Sequence, residues 1–303
     1  MRILFLGMLG KFSLPPLQAV LEAGLSVVGV VVPADNSAIP IRELKPVTAV
    51  SPLQLTPTQP TIVHQAWQQK IPVYEVNRLT APETQQTLAN LQPDVACVAC
   101  FNKRIPANLL ALPQHGFLNL HPSLLPQFRG PAPLFWTFRA GIQDIGVTLH
   151  LMDTGLDTGN IVQQEPLTLP DGISGQEADV ATATLGGHLL VKALNQLTNG
   201  TFTSIPQPTG GSNHPWPQPA DFRIPVSWSA RHAFNFMRGT TEFGQPFVIE
   251  MEKGEIKVKT AVSFSQGTIL NQPYQTDRDK IQIQFTDGVV TAVFYEPSMN
   301  PRD

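Results

Sequence analysis

Apolar and polar positions follow each other in two rhythms along this chain, one near 3.6 residues and one of two. RILFLG (2–7) is a short apolar run closed by glycine, PPLQAVLEA (15–23) repeats its apolar residues at helical spacing as far as Gly24, and LSVVGVVV (25–32) reads as a strand buried on both faces. That β-α-β order predicts a parallel sheet with crossover helices. The alternation continues with a helix over 60–69, the strand IPVYEV (71–76), a helix over 82–91 and the strand DVACVAC (94–100). A short helix near 106–112, the strand GFLNLH (116–121) and the helix APLFWTFRAG (132–141) come next. GVTLHLM (146–152) and IVQQEPLTL (161–169) are the last strands before a long helix over 174–197, where Ser174 and Glu177 have the spacing of a capping box. Residues 34–60, rich in Pro, Ser and Thr, show little periodicity and predict a long loop.

The rhythm breaks at TSIPQPTGGSNHPWPQP (203–219), whose Pro, Gly, Ser and Asn mark a linker. Beyond it SARHAFNFMRG (229–239) predicts a helix with Ser229 at its start and Arg238-Gly239 at its end. Short alternating runs follow, FVIEME, EIKVKTAV, KIQIQF and VVTAVFY, with turn signals between them. They suggest a small β-barrel. The expected partition is an α/β domain over 1–202, a linker over 203–219 and a barrel over 220–303.

Only 14% of the residues are charged and 42% are hydrophobic, so the chain has the means to bury a large core. No apolar run reaches the roughly 20 residues that a membrane span needs. Glycines and Lys11 interrupt the N-terminal run too soon for a signal peptide, so a cytoplasmic location is expected. Cys97 and Cys100 have C-x-x-C spacing, but positions three apart on a strand face opposite sides. No second Cys/His pair completes a zinc set, so both are read as small buried strand residues and no metal is expected. A net charge of −3 gives no basic footprint for nucleic acid.

The chemistry concentrates in GFLNLHPSLLPQFRG (116–130) and MDTGLDTGN (152–160). Asn119 and His121 lie two apart on a strand and so share a face, in a segment otherwise made of Phe117, Leu118 and Leu120. Open α/β sheets bind ligands beyond the carboxyl ends of their strands, and these two residues are near such an end. Asp157 closes the following strand-loop unit, whose Gly155 and Gly159 would let backbone approach a ligand. An amide, an imidazole and a carboxylate together suit acyl transfer to an amine: the amide holds an oxyanion and the imidazole manages a proton. GxSxG is absent and Ser123 stands alone, so the attacking group would be the substrate's own amine. The alternative is that Asn119 and His121 satisfy loop backbone and Asp157 caps a turn.

NLHPSLLP, RGPAPLFW and GVTLHLMDTGLDTGNIV resemble the formyltransferases that use 10-formyltetrahydrofolate, most closely over residues 115–165 and more loosely over 1–200. The resemblance implies a Rossmann-like N-terminal domain with a mostly parallel sheet and a small, OB-like C-terminal barrel. It implies Asn119, His121 and Asp157 as the catalytic set. It implies a folate slot lined by Phe101, Asn102, Lys103, Arg104 and Ile105, largely through backbone, with Asp153 to Asp157, including Gly155, as the other wall. Arg129 matches an Arg-Gly pair leading into a helix, where it meets either a substrate or a group of the fold. His150 is read as a satisfied sheet histidine.

IPVSWSARHAFNFMRG resembles the opening of the barrel domain in the methionyl-tRNA branch of that family, which makes initiator Met-tRNA the first-choice amine acceptor. Two features depart from it. Residues 205–303 carry nine Lys/Arg against ten Asp/Glu, and the 34–50 loop holds only Arg42 and Lys45 beside Glu43, where that branch is strongly basic. The Asn-Pro-Trp-Pro stretch expected after the helix is replaced by GTTEFG (239–244). An amino sugar on a nucleotide, or water in a hydrolase-like relative, are the other acceptors the sequence leaves open.

Overall fold

The apolar runs of the N-terminal half become the centre of a sheet. In the computed structural model, which describes residues 1–34, 37–46 and 60–295, eight strands are β1 (Arg2–Gly7), β2 (Ser26–Pro33), β3 (Ile41–Leu44), β4 (Val73–Val76), β5 (Val95–Ala99), β6 (Phe117–His121), β7 (Asp144–Leu151) and β8 (Ile161–Thr168). They lie in the order β3-β4-β2-β1-β5-β6-β7-β8. β4, β2, β1, β5 and β6 are parallel, while β3 runs against β4 and β7 against β6. The connecting helices are α1 (Leu14–Glu22), α2 (Ile62–Gln68), α3 (Pro82–Asn90), α4 (Ala107–Leu110), α5 (Pro133–Arg139) and α6 (Gly175–Thr198). This is the mostly parallel α/β fold that the sequence predicts.

Period two sorts the sheet's side chains into two layers. Ile3 and Phe5 of β1, Cys97 of β5 and Leu118 and Leu120 of β6 pack with Leu17 of α1 and Leu190 and Leu194 of α6. Leu4 and Leu6, Ala96 and Val98, and Phe117 pack instead with Leu88 of α3 and Leu109 of α4. Each fully buried Leu, Ile or Phe contributes about 1.5–3 kcal/mol relative to an exposed one. Strand order reverses between β1 and β5, and in open α/β sheets ligands bind beyond the strand carboxyl ends at such a reversal. Ser13 ties the ends of these two strands together: its Oγ donates to Ala99 O at 2.6 Å and accepts from Met8 N at 2.9 Å. Gly7 makes this possible, because a Cβ there would lie 2.9 Å from the Ser13 side chain.

By internal contacts the chain forms two units. The first comprises Met1–Pro131, Gly146–Leu167 and Asp179–Asn213; the second comprises Ala132–Ile145, Thr168–Ala178 and the chain from His214 on. The proline- and glycine-rich stretch thus divides between units after Asn213. In the second unit α5 packs on α7 (Ala230–Thr240), whose N-cap Ser229 accepts from His232 N at 3.1 Å. Six strands form its sheet: β9 (Arg223–Pro225), β10 (Phe247–Glu250), β11 (Glu255–Gln266), β12 (Tyr274–Asp277), β13 (Lys280–Phe285) and β14 (Gly288–Phe294), in the order β12-β13-β14-β11-β10-β9. The rings of Phe135, Phe222, Phe236 and Phe247 meet at centroid distances of 5.1 to 5.7 Å in successive pairs and form its core.

Three strands escape the hydrophobic pattern. β3 falls inside the expected 34–60 loop, of which 35–36 and 47–59 lie outside the described residues. It is an edge strand held by a polar cross-strand pair, Arg42 opposite Glu75, rather than by apolar alternation. β9 has three residues, and β12 is exposed throughout. One cysteine also departs from expectation. Cys97 is buried as read, whereas Cys100 is exposed at φ +61, past the end of β5, and both thiols are free.

Candidate active site

β6 and β7 pair with Asn119 opposite His150 and His121 opposite Thr148. Opposed residues on antiparallel strands share a face, so the register brings His150 to the face that already holds Asn119 and His121. Burial is deep: the side chains of His121, His150 and Asp157 are 5%, 2% and 11% exposed.

Backbone carbonyls fix the protons on both rings. His121 Nε2 is 2.8 Å from Phe128 O, and a carbonyl only accepts, so Nε2 carries the proton and Nδ1 turns toward Asp157 Oδ2 at 3.7 Å. His150 Nδ1 likewise donates to Leu151 O at 2.9 Å. Its Nε2 then accepts from Asn119 Nδ2 at 3.0 Å and lies 3.7 Å from Asp157 Oδ1. The carboxylate therefore sits between two imidazole rings, and Gly130 N donates to its Oδ2 at 2.9 Å. The structure brings the three sequence-predicted residues together and adds His150, whose bond to Asn119 gives it a partner inside the cluster.

Burial pushes the His121 ring below the ordinary histidine range; Asp157 and the Phe128 carbonyl work against that shift, and His150 adds to it. Burial alone would raise the Asp157 carboxyl, but a hydrogen bond and charge from a protonated His150, the charge of a protonated His121 and the Gly130 N–H outweigh it and bring it down to about 2. At neutral pH the pair is thus an ionised carboxylate beside an uncharged imidazole whose free lone pair faces the site. Such a pair accepts protons.

The loop carrying Asp157 is tightly made. Asp157 itself is at φ +54, in the left-handed region that few non-glycine residues adopt. Asp153 Oδ1 accepts from Gly155 N at 2.9 Å and from Thr158 Oγ1 at 2.7 Å. A Cβ on Gly155 would stand 2.0 Å from Thr158 Oγ1, and one on Gly159 1.8 Å from Leu151 O. Both glycines therefore make room for the loop's own atoms, where the sequence reading has them admitting a ligand.

Of the segment expected to line a folate slot, Phe101 and Lys103 are half-buried and Asn102 and Arg104 are exposed. Ile105 packs into the core beside Leu109. Arg104 Nη2 donates to Thr154 O at 2.7 Å, which ties this segment to the Asp153–Asp157 loop. Ser123 is a structural hydroxyl, 1% exposed, donating to Gln127 O at 2.7 Å. Among the described residues Arg129 pairs with no carboxylate; its Nε and Nη2 both donate to Gln207 Oε1, at 3.1 and 2.6 Å. Gln207 had no signal in the sequence beyond its place in a linker. His150 did: strand register puts it across from Asn119.

Residues 42–194 match the formyl transferase family. A methionyl-tRNA formyltransferase of Pelotomaculum thermopropionicum is 32% identical over 239 residues, 79% of this chain and 72% of that protein. The one from Rhodopseudomonas palustris is 30% identical over 298 residues, 96% of this chain and 89% of that protein. Among solved structures, the N-formyltransferase from Helicobacter canadensis in complex with folinic acid and dTDP-3-aminofucose aligns with a TM-score of 0.67 at 17% identity, covering 97% of this chain and 99% of that one. The last is a likeness of fold.

Proposed function

This chain belongs to the formyl transferase family, and we propose that it carries the formyl group of 10-formyltetrahydrofolate to the amino group of methionyl-tRNA. The reading rests on one observation: an amide, two imidazoles and a carboxylate converge on the face of β6 and β7. Kinship over most of the chain to methionyl-tRNA formyltransferases supports the acceptor.

In the proposed reaction the neutral amine attacks the formyl carbon, and the carbonyl electrons move onto oxygen. One N–H of Asn119 is held by His150, and the other donates to that oxyanion. His121 has committed Nε2–H to Phe128 O, so only Nδ1 faces the reaction. Uncharged, it has no N–H for the oxyanion; it takes the proton of the attacking amine instead. The imidazolium so formed is stabilised by Asp157 and returns the proton to the folate nitrogen as the old C–N bond breaks. We assign the 101–105 segment, Asp153 and Gly155 to the walls of the folate slot, supported by the Arg104–Thr154 bond that joins them.

A second acceptor, a small amine such as an amino sugar on a nucleotide, is favoured by one feature. Arg42 pairs with Glu75, and Lys45 with Glu43, at 2.5 Å each, so both described cations of the 34–46 loop are already occupied. A polyanion needs several phosphate contacts, each of which makes binding more salt-sensitive. The test is formyl transfer from 10-formyltetrahydrofolate to charged initiator Met-tRNA and, separately, to a nucleotide-linked amino sugar, with filter binding of the tRNA at about 50 and 200 mM salt. Formyl-Met-tRNA and salt-sensitive binding support the first reading. Product from the sugar alone supports the second, and formate release without acceptor overturns both.

A further inference from the structure

Within the expected linker, 203–219, residues 205–212 bind both loops that shape the candidate site. Ile205 and Ile161 exchange backbone hydrogen bonds at 2.8 Å. Ser212 accepts from Phe128 N at its Oγ, 2.8 Å, and from Arg129 N at its carbonyl, 3.0 Å. Gly211 lies so close to Pro126 that a Cβ would stand 2.2 Å from the Pro126 carbonyl oxygen, at a φ of +96. Between these two anchors Gln207 turns its side chain inward. Its Nε2 donates to Asp157 O at 2.7 Å and to Gly159 O at 2.8 Å, while its Oε1 accepts both Arg129 bonds. Two amide hydrogens and two lone pairs are all used, so the side chain has one orientation.

That orientation matters because of what each partner holds. Arg129 is flanked by Phe128, whose carbonyl fixes the His121 tautomer, and by Gly130, whose N–H binds the Asp157 carboxylate. Asp157 and Gly159 bracket the left-handed turn that aims this carboxylate between the two rings. Gln207 therefore ties the loop of the base to the loop of the acid through a single amide. A left-handed backbone at a non-glycine residue is strained, and persists only where neighbours hold it.

We propose that Gln207 is a positioning residue of the formyl transfer reaction, holding the Asp157 carboxylate against His121 through the Asp157 and Gly159 carbonyls. The proposal rests on the roles given above to Asp157 and His121. Gln207 touches no reacting atom, so its effect passes through Asp157, and this sets the test. Turnover is compared in the wild type, Gln207→Ala, Gln207→Glu, Asp157→Asn and the Gln207→Ala/Asp157→Asn double variant, with melting temperatures alongside. Gln207→Ala is expected to lower kcat by about 10- to 100-fold with the KM for 10-formyltetrahydrofolate within about threefold. In the Asp157→Asn background the same change is expected to cost less than about twofold, since the group being positioned is gone.

Gln207→Glu keeps the bonds from Arg129 but presents oxygens to two carbonyls, so it should lose as much activity as Gln207→Ala while remaining folded. It carries the test if the alanine variant does not fold. A second readout needs no turnover: NMR titration of His121, which is faced by Asp157 and His150. Gln207→Ala, which adds no charge near the ring, should lower the His121 pKa in the Asp157 protein and leave it unchanged in the Asp157→Asn protein. Additive losses, or a kcat within twofold of wild type in a folded Gln207→Glu protein, overturn the proposal. If the wild type transfers no formyl group but the titration behaves as stated, the positioning stands and the reaction assigned to the site fails.

Discussion

Replacing Asp157 by Asn tests the electrostatics of the site. The carboxylate and the His121 ring are 3.7 Å apart and both are buried. At an effective dielectric constant of ~20, unit charges at that separation attract by about 4 kcal/mol. Since ~1.4 kcal/mol equals one pKa unit, Asp157 raises the proton affinity of His121 by up to about three units, against a burial cost of opposite sign. Burial wins in the wild type, and the His121 pKa lies below its ordinary value. The proposed base must be uncharged, so kcat/KM should rise through an acid limb below pH ~6.5 and be level at neutrality. Asparagine keeps the shape of the side chain and can still accept from Gly130 N, but removes the charge. The acid limb should then move one to three units lower, while the plateau rate falls by about 10²–10⁴. Rate profiles over pH, paired with an NMR titration of His121, give both numbers. A limb that stays in place or moves upward would refute the assignment of His121 as the proton acceptor.

The same pair predicts how stability follows pH. An unfolded chain binds protons at histidine more readily than this buried ring does, so the His121 contribution is full above pH ~6.5 and declines as pH falls toward its folded value. The Asp157 contribution is present above pH ~3.8 and is lost as pH falls toward about 2, which acid titrations of the melting temperature will follow. Asn119→Ala should cut kcat by about 10²–10³ with KM for the formyl donor little changed, because the lost donor acts on the oxyanion alone. His150→Phe should lower kcat by about tenfold while His150→Gln, which can still accept from Asn119, recovers much of it, as steady-state kinetics will read. Ser123→Ala should leave turnover within a few-fold and show no burst of donor cleavage, since no covalent intermediate is proposed; a burst in the wild type that this variant abolishes contradicts the direct attack of the amine.

The fold was legible wherever one periodicity ran long enough to dominate. β1, α1 and β2 follow from apolar spacing, and the α6 start follows from the Ser174–Glu177 box, which forms with Ser174 N donating to Glu177 Oε2 at 2.9 Å and Glu177 N to Ser174 Oγ at 3.2 Å. β3, β9 and β12 are short strands at or near sheet edges, where half the backbone needs no partner and side chains need no core. Apolar pattern carries no information there.

The site divides along a different line. Asn119 and His121 announce themselves because two polar groups on one face of a buried strand demand an explanation within five residues of sequence. His150 demands the same explanation, but its meaning depends on pairing β7 against β6 with Asn119 and His150 in register, and a slip of one residue would have turned it to the opposite face. Gln207 is a further step removed. A glutamine among prolines and glycines satisfies every local rule for a linker, and what distinguishes it is that the carbonyls of a left-handed turn 50 residues earlier, and the guanidinium of Arg129, arrive at hydrogen-bond distance from its amide. Local polarity conflicts are visible in one dimension; hydrogen-bond saturation of an exposed segment appears only when the chain has closed on itself. The residues proposed to react are therefore easier to read from this sequence than the residue proposed to hold them.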